Sequence, residues 1–215
     1  KWVVEEKTEN VKVIINVGTN NTKETVETIK VFQEVKGVDG LMAVCPYYNK
    51  PSQEGLFKHF EKISEVSNLP VMVYHIPGRT NVTMTIETLQ RIVELPNIKM
   101  VKESSGDLEK SAELIRYIET KKLPVTVYCG DDPYTLNYLT IGAKGVVSVV
   151  SHLVGKDIRK MLEHFEKGEY KEAREIQFNI TSVAKKCFPP FAPNPVGVKY
   201  LLSKKGWGNE EVRLP

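Results

Sequence analysis

Cysteine is scarce in this sequence, with three among 215 residues. Cys45, Cys129 and Cys187 lie far apart and form no C-x-x-C pair. That excludes a zinc knuckle and a disulfide framework and fits a reducing cytoplasm. Four histidines, His59, His75, His152 and His164, make no H-x-x-x-H or H-E-x-x-H spacing, so neither a zinc site nor a histidine-based nucleophile relay is expected and core or surface roles suffice for them. Charge of one sign is also lacking. Thirty Lys and Arg against 27 Asp and Glu leave +3, interleaved along the chain, which gives no block for a nucleic-acid or membrane surface. No stretch reaches 18 apolar residues, and KWVVEEKTEN lacks the zones of a signal peptide. The expected location is the cytoplasm.

What is present is an ordinary globular composition, 41% hydrophobic and 27% charged. A chain of this size buries roughly 70% of its unfolded surface and needs no staple. Short apolar runs rich in Val, Ile and Met recur at VKVIINVG from Val11, GLMAVCP from Gly40, PVMVYHIP from Pro70, IKMVKES from Ile98, VTVYCG from Val125 and GVVSVV from Gly145. Each reads as a buried strand. Between them lie amphipathic segments such as TKETVETIKVFQEV, QEGLFKHFEKISEVS and DLEKSAELIRYIETKK, which read as helices. Strand, helix and strand within about 30 residues is a βαβ unit, so six strands in series mean a parallel α/β fold.

Two architectures fit, an open doubly wound sheet and a closed (β/α)8 TIM barrel. No G-x-G-x-x-G follows any strand, which counts against the open sheet. The opening KWVVEEKTE reads as the second half of a helix without its strand, and 151–215 reads as helical. Two further units would bring the chain near the ~250 residues typical of the barrel. The expectation is therefore a barrel lacking its first two βα units, with 1–150 as a partial barrel of six strands and 151–215 as the final barrel helix and a C-terminal helical extension.

In such a barrel reactive groups sit where strands end. There the sequence places Pro46-Tyr47-Tyr48-Asn49-Lys50-Pro51, then Tyr74-His75 through Arg79-Thr80, then Lys102-Glu103 through Asp107, then Gly130-Asp131-Asp132. Lys102 shares a strand face with Ile98 and Met100 by simple alternation, so it either points into the barrel or snorkels to solvent. Burial would favour a neutral amine able to attack a carbonyl and form a Schiff base. Tyr74 either relays protons or caps a backbone group. Arg79 offers a planar fork for a substrate carboxylate or pairs with a surface acid. Tyr47 and Tyr48 either line the pocket or anchor a subunit contact. The pair Asp131-Asp132 reads as an N-cap for the helix that follows rather than as a metal site.

Taken together, PYYNKPSQEGLFKHF, YHIPGRT, VKESSGDL, GDD before a helix, GVVSV and PNPVGVKYLL resemble, nearly end to end, the dihydrodipicolinate synthase family of the pyruvate-dependent class I aldolases. The resemblance implies that Lys102 forms the Schiff base with pyruvate, Tyr74 shuttles protons, and Arg79 holds the carboxylate of aspartate 4-semialdehyde. It implies that Tyr48 joins a proton relay across a dimer interface with Tyr47 beside it, and that Gly130 and Val147 bring backbone near the keto acid. Asn21 and Tyr47 match positions near a lysine effector site. A homo-oligomer, dimer or tetramer, follows, with no metal and no organic cofactor.

Two departures bear on this. The family's Gly-Thr-Thr-Gly-Glu segment would precede this chain's first residue, and the family's asparagine after the shuttle tyrosine is His75 here. The rival readings are a lyase for N-acetylneuraminate or a 2-keto-3-deoxy sugar acid, and an inactive remnant acting in oligomerisation. The PGRT turn argues against the first, and the retained lysine, tyrosines and arginine against the second.

Overall fold

The computed structural model describes residues 2–214. In chain order the elements are α1 (Trp2–Glu6), β1 (Ile14–Asn16), α2 (Thr22–Phe32), β2 (Gly40–Val44), α3 (Gln53–Val66), β3 (Val71–His75), α4 (Pro77–Thr80), α5 (Ile86–Val93), β4 (Ile98–Glu103), α6 (Leu108–Thr120) and β5 (Thr126–Cys129). A 3₁₀ turn (Asp132–Tyr134) leads into α7 (Thr135–Thr140), followed by α8 (Ser151–Glu166), α9 (Tyr170–Cys187) and α10 (Val196–Lys204). The five strands form one sheet in sequence order. Pairing is parallel wherever the register is defined, from β1 through β4. Residues up to Tyr128 together with Ile141–Lys144 form one compact unit, and Cys129–Thr140 with the chain from Gly145 form a second.

The helices start where the sequence supplies a cap. Asn21 accepts from the amides of Lys23 and Glu24, Ser52 from Gly55, Thr85 from Thr88, and Asp107 from Lys110. Each side-chain oxygen satisfies an amide that the first helical turn leaves without a partner. In the first unit one face of β2, β3 and β4 is fully buried. Leu41 pairs with Val71 and Val71 with Ile98, and above them Ala43, Val73 and Val101 form a second row, all at 0% exposure. Leu56, Phe60 and Ile63 of α3 and Leu89 and Ile92 of α5 are equally buried. Each of these side chains contributes about 1.5–3 kcal/mol by leaving water. The second unit has its own core, in which Val150, Ile158 and Met161 cluster with Ala173, Ile180, Ala184, Cys187 and Val198.

The sixth expected strand is not formed. Of Gly145–Val150 only Val146 makes a parallel bridge, to Cys129, and the Val147 amide donates to the Cys129 carbonyl at 2.8 Å. Beyond that the amides of Val149 and Val150 donate to the Asp132 carboxylate, at 3.0 and 3.2 Å, and the chain turns into α8. A side chain has taken the donors that a ladder would need. The acidic pair divides. Asp131 stands at the N-cap position of the 3₁₀ turn, as expected, though without a side-chain cap bond there, while the Asp132 carboxylate holds the amides that enter α8.

His59 of α3 is 3% exposed, with Nδ1 2.8 Å from the Thr22 hydroxyl and Nε2 buried without a partner. Burial holds its pKa down, from 6.5 to about 4. A group whose folded pKa is depressed contributes stability above its unfolded pKa and loses it as pH falls toward the folded one. Acidification from pH 6.5 to 4 is expected to remove ~3 kcal/mol through this residue alone. Urea unfolding of the parent and of His59→Phe across that range checks it. The stability gap should shrink or reverse on acidification, and a constant gap would show that the imidazole takes up its proton in place.

Candidate active site

The strand register decides which side chains meet. Val44 pairs with Tyr74 and Tyr74 with Lys102, while Met42 pairs with Met72 and Met72 with Met100. These residues share the sheet face opposite the fully buried one, because successive side chains alternate across a strand. Lys102 and Tyr74 are both half-buried, and the Lys102 Nζ lies 3.8 Å from the centre of the Tyr74 ring. The ladder therefore brings the expected nucleophile and the expected proton carrier together.

Ile98 does not share that face. The register advances one residue on β3, from Val71 to Met72, and two on β4, from Ile98 to Met100. The extra residue, Lys99, is a β-bulge, which shifts the residues beyond it to the opposite side. Ile98 consequently packs beside Val71 at 0% exposure, while Met100 and Lys102 face the other way.

A second group assembles at the adjoining strand ends. Tyr47, Tyr48, Lys50, Arg79, Thr80 and Asn81 line an open cavity of about 720 Å³. Lys102 and Tyr74 are not among its lining residues. Three of the lining residues have left-handed backbones, Tyr48 at φ 75, Lys50 at 45 and Asn81 at 57. For an L-residue that conformation costs roughly 1–2 kcal/mol. Such strain gathers at ligand clamps and active sites. Tyr48 is 86% exposed, and its amide reaches the Thr80 carbonyl at 3.4 Å. Arg79 is exposed on α4, a single helical turn that begins at Pro77 where the sequence reading has the PGRT turn.

The remaining expected residues stand elsewhere. Asn21 is occupied as the cap of α2, and the neighbouring Asn20 carbonyl accepts from the Asn49 side chain at 3.0 Å, tying the tyrosine loop to the start of that helix. Gly130 and Val147 belong to the second unit, where Val147 is held to the Cys129 carbonyl.

The sequence reading left out what lies behind Lys102 and Tyr74. His75 and Glu103 are 0% and 1% exposed, with Nδ1 2.9 and 3.1 Å from the two carboxylate oxygens. The Met84 amide donates to His75 Nε2 at 3.1 Å. An amide N–H can only donate, so Nε2 accepts and the ring proton sits on Nδ1, facing the carboxylate. The signal was available, since a carboxylate at a buried strand position needs a partner. Cys45 lies close by at 0% exposure, and burial, reinforced by Glu103, pushes its thiol up to about 12. A thiol held protonated is a poor nucleophile.

Residues 1–215 match the dihydrodipicolinate synthetase family along their whole length. The chain belongs to that family. It is 46% identical over 213 residues to 4-hydroxy-tetrahydrodipicolinate synthase 1 of Halalkalibacterium halodurans, covering 99% of this chain and 70% of that protein. A solved dihydrodipicolinate synthase of Bacillus anthracis superposes with a TM-score of 0.91 at 41% identity, covering 100% of this chain and 70% of the other. Another, from Acinetobacter baumannii, described as chloride inhibited and complexed with pyruvate, gives 0.88 at 31% identity over 96% of this chain and 69% of its own. Family membership makes the five parallel strands part of a (β/α)8 barrel, and this chain spans about 70% of the length of such relatives. Among the described residues no helix is long and apolar enough to cross a membrane.

Proposed function

We propose that this chain performs the family's reaction, the condensation of pyruvate with L-aspartate 4-semialdehyde to 4-hydroxy-tetrahydrodipicolinate and water. The observation that carries the reading is the Lys102 amine over the Tyr74 ring at 3.8 Å, across neighbouring strand ends. In this reading the amine adds to the pyruvate C2 carbonyl, and the carbinolamine loses water to give an iminium. Loss of a C3 proton yields the enamine, whose carbon bonds to the aldehyde carbon of the semialdehyde. The substrate's own amine then attacks C2 and displaces Lys102, closing the ring. Tyr74 carries protons to and from the carbinolamine, since a phenol both donates and accepts. Tyr48, projecting from the molecule, extends the relay toward a second copy of the chain, with Tyr47 at the contact.

Borohydride reduction in the presence of pyruvate tests the reading. The chain should gain the mass of a reduced pyruvyl adduct on the peptide containing Lys102. Unchanged mass, or an adduct elsewhere, would overturn it.

Arg79 is the proposed clamp for the semialdehyde's carboxylate. A charge-assisted hydrogen bond of this kind contributes about 1.5–3 kcal/mol. Arg79→Ala is accordingly expected to raise the KM for the semialdehyde on the order of 10- to 100-fold while leaving that for pyruvate nearly unchanged. Steady-state kinetics with each substrate varied in turn checks this. A parent chain that preferred N-acetylneuraminate over the semialdehyde would favour the sugar-acid lyase instead.

A further inference from the structure

The bulge at Lys99 gives β4 a choice. With the extra residue absorbed there, Tyr74 faces Lys102 and His75 faces Glu103. A straight ladder continued from the Val71–Ile98 pair would set Lys99 against Met72, Met100 against Val73 and Lys102 against His75. That register would turn Lys102 onto the buried face and away from Tyr74, because a one-residue slip reverses every side chain beyond it. The strand backbone alone does not select the bulged arrangement, since an unbulged ladder is the more regular one.

The side chains just beyond the lysine do discriminate. In the bulged register the Glu103 carboxylate accepts from the His75 Nδ1–H at 2.9 Å and from the Ser105 amide at 2.7 Å. His75 Nε2 accepts from the Met84 amide at 3.1 Å, and the His75 carbonyl accepts from the Ser104 amide at 2.8 Å. The pair thus joins the ends of β3 and β4, the segment before α5 and the loop after Lys102. Slipped by one residue, the carboxylate would turn onto the half-buried face that Lys102 now occupies and leave the fully buried His75 Nδ1–H without its acceptor, and an unpaired buried polar group is disfavoured. Two apolar side chains would bury more cheaply here.

We infer that His75 and Glu103 are positioning residues that lock the bulged register of β4 and so hold Lys102 against Tyr74. The inference rests on the Schiff-base reading above. Neither residue is assigned contact with substrate; they act through the strand ends on which the nucleophile and the proton carrier stand.

The test compares the rate of pyruvate-dependent borohydride trapping in the parent, in His75→Asn, and in the double variant His75→Leu with Glu103→Leu, with folding followed by circular dichroism and thermal melting. His75→Asn keeps a donor where Nδ1 stood and is expected to trap within about threefold of the parent, a loss of less than the ~1 kcal/mol of one neutral hydrogen bond. The double variant leaves no buried charge unpaired, yet should trap on the order of 100-fold more slowly, the effect of a reacting group displaced by about 1 Å. A folded double variant that traps at the parent's rate would overturn the lock. Should the double variant not fold, His75→Leu with Glu103→Gln, which likewise removes the cross-strand bond and leaves no buried charge, carries the same expectation and is overturned by the same result. A parent that forms no adduct at Lys102 overturns the Schiff-base reading and this inference with it. An active parent beside an equally active double variant overturns this inference alone.

Discussion

Lys102→Ala is expected to abolish both pyruvate trapping and turnover, with a loss on the order of 10⁵-fold, the lower end of what a well-oriented internal nucleophile provides over the same group free in solution. The fold should survive. Lys102 is half-buried and its amine lies over the Tyr74 ring, so truncation forfeits a cation–π interaction of about 0.5–1 kcal/mol and some packing of its stem. Melting temperature and the trapped mass, measured on one preparation, separate the two consequences. A folded variant that still turned over would move the nucleophile elsewhere. The nearby Cys45 is a weak substitute, because burial holds its thiol protonated with a pKa of about 12.

The alternation of apolar runs and amphipathic segments made five strands and their parallel order legible, along with the helices between them, because period and spacing are properties of the chain itself. The opposition of Lys102 and Tyr74 was legible only as strand ends at one mouth. Their actual meeting depends on a bulge at Lys99, and IKMVKE reads the same with or without it. Simple alternation therefore put Ile98 on the wrong face. The sixth run failed for a similar reason. GVVSVV has a strand's composition, but the Asp132 carboxylate claims the amides of Val149 and Val150, and a competing acceptor some 17 residues upstream leaves no trace in local pattern. His75 and Glu103 lie 28 residues apart, and only the register of neighbouring strands makes them partners. Where chemistry depends on which side chains oppose one another, periodicity supplies the candidates and tertiary pairing chooses among them.

Tyr74→Phe isolates the hydroxyl from the ring. The substitution keeps the aromatic face over which the Lys102 amine sits, and it keeps the cross-strand pairs with Val44 and Lys102. Placement of the nucleophile should therefore change little, and the KM for pyruvate should stay within a few-fold of the parent's. What disappears is the group proposed to move protons as the carbinolamine forms and dehydrates. General acid–base help of that kind provides about 10²–10⁴-fold, so kcat is expected to fall by at least the lower figure. Because proton transfer is slowed and binding is not, kcat and kcat/KM should fall together, the pattern of an interaction made only in the transition state. A rise in KM at constant kcat would instead assign Tyr74 to holding the substrate, and an unchanged kcat would leave it a packing residue whose ring supports Lys102. Trapping distinguishes these further. If the phenol serves the dehydration step, borohydride should capture the iminium more slowly in Tyr74→Phe yet reach the same final mass on the same peptide, since the amine that forms the bond is still in place.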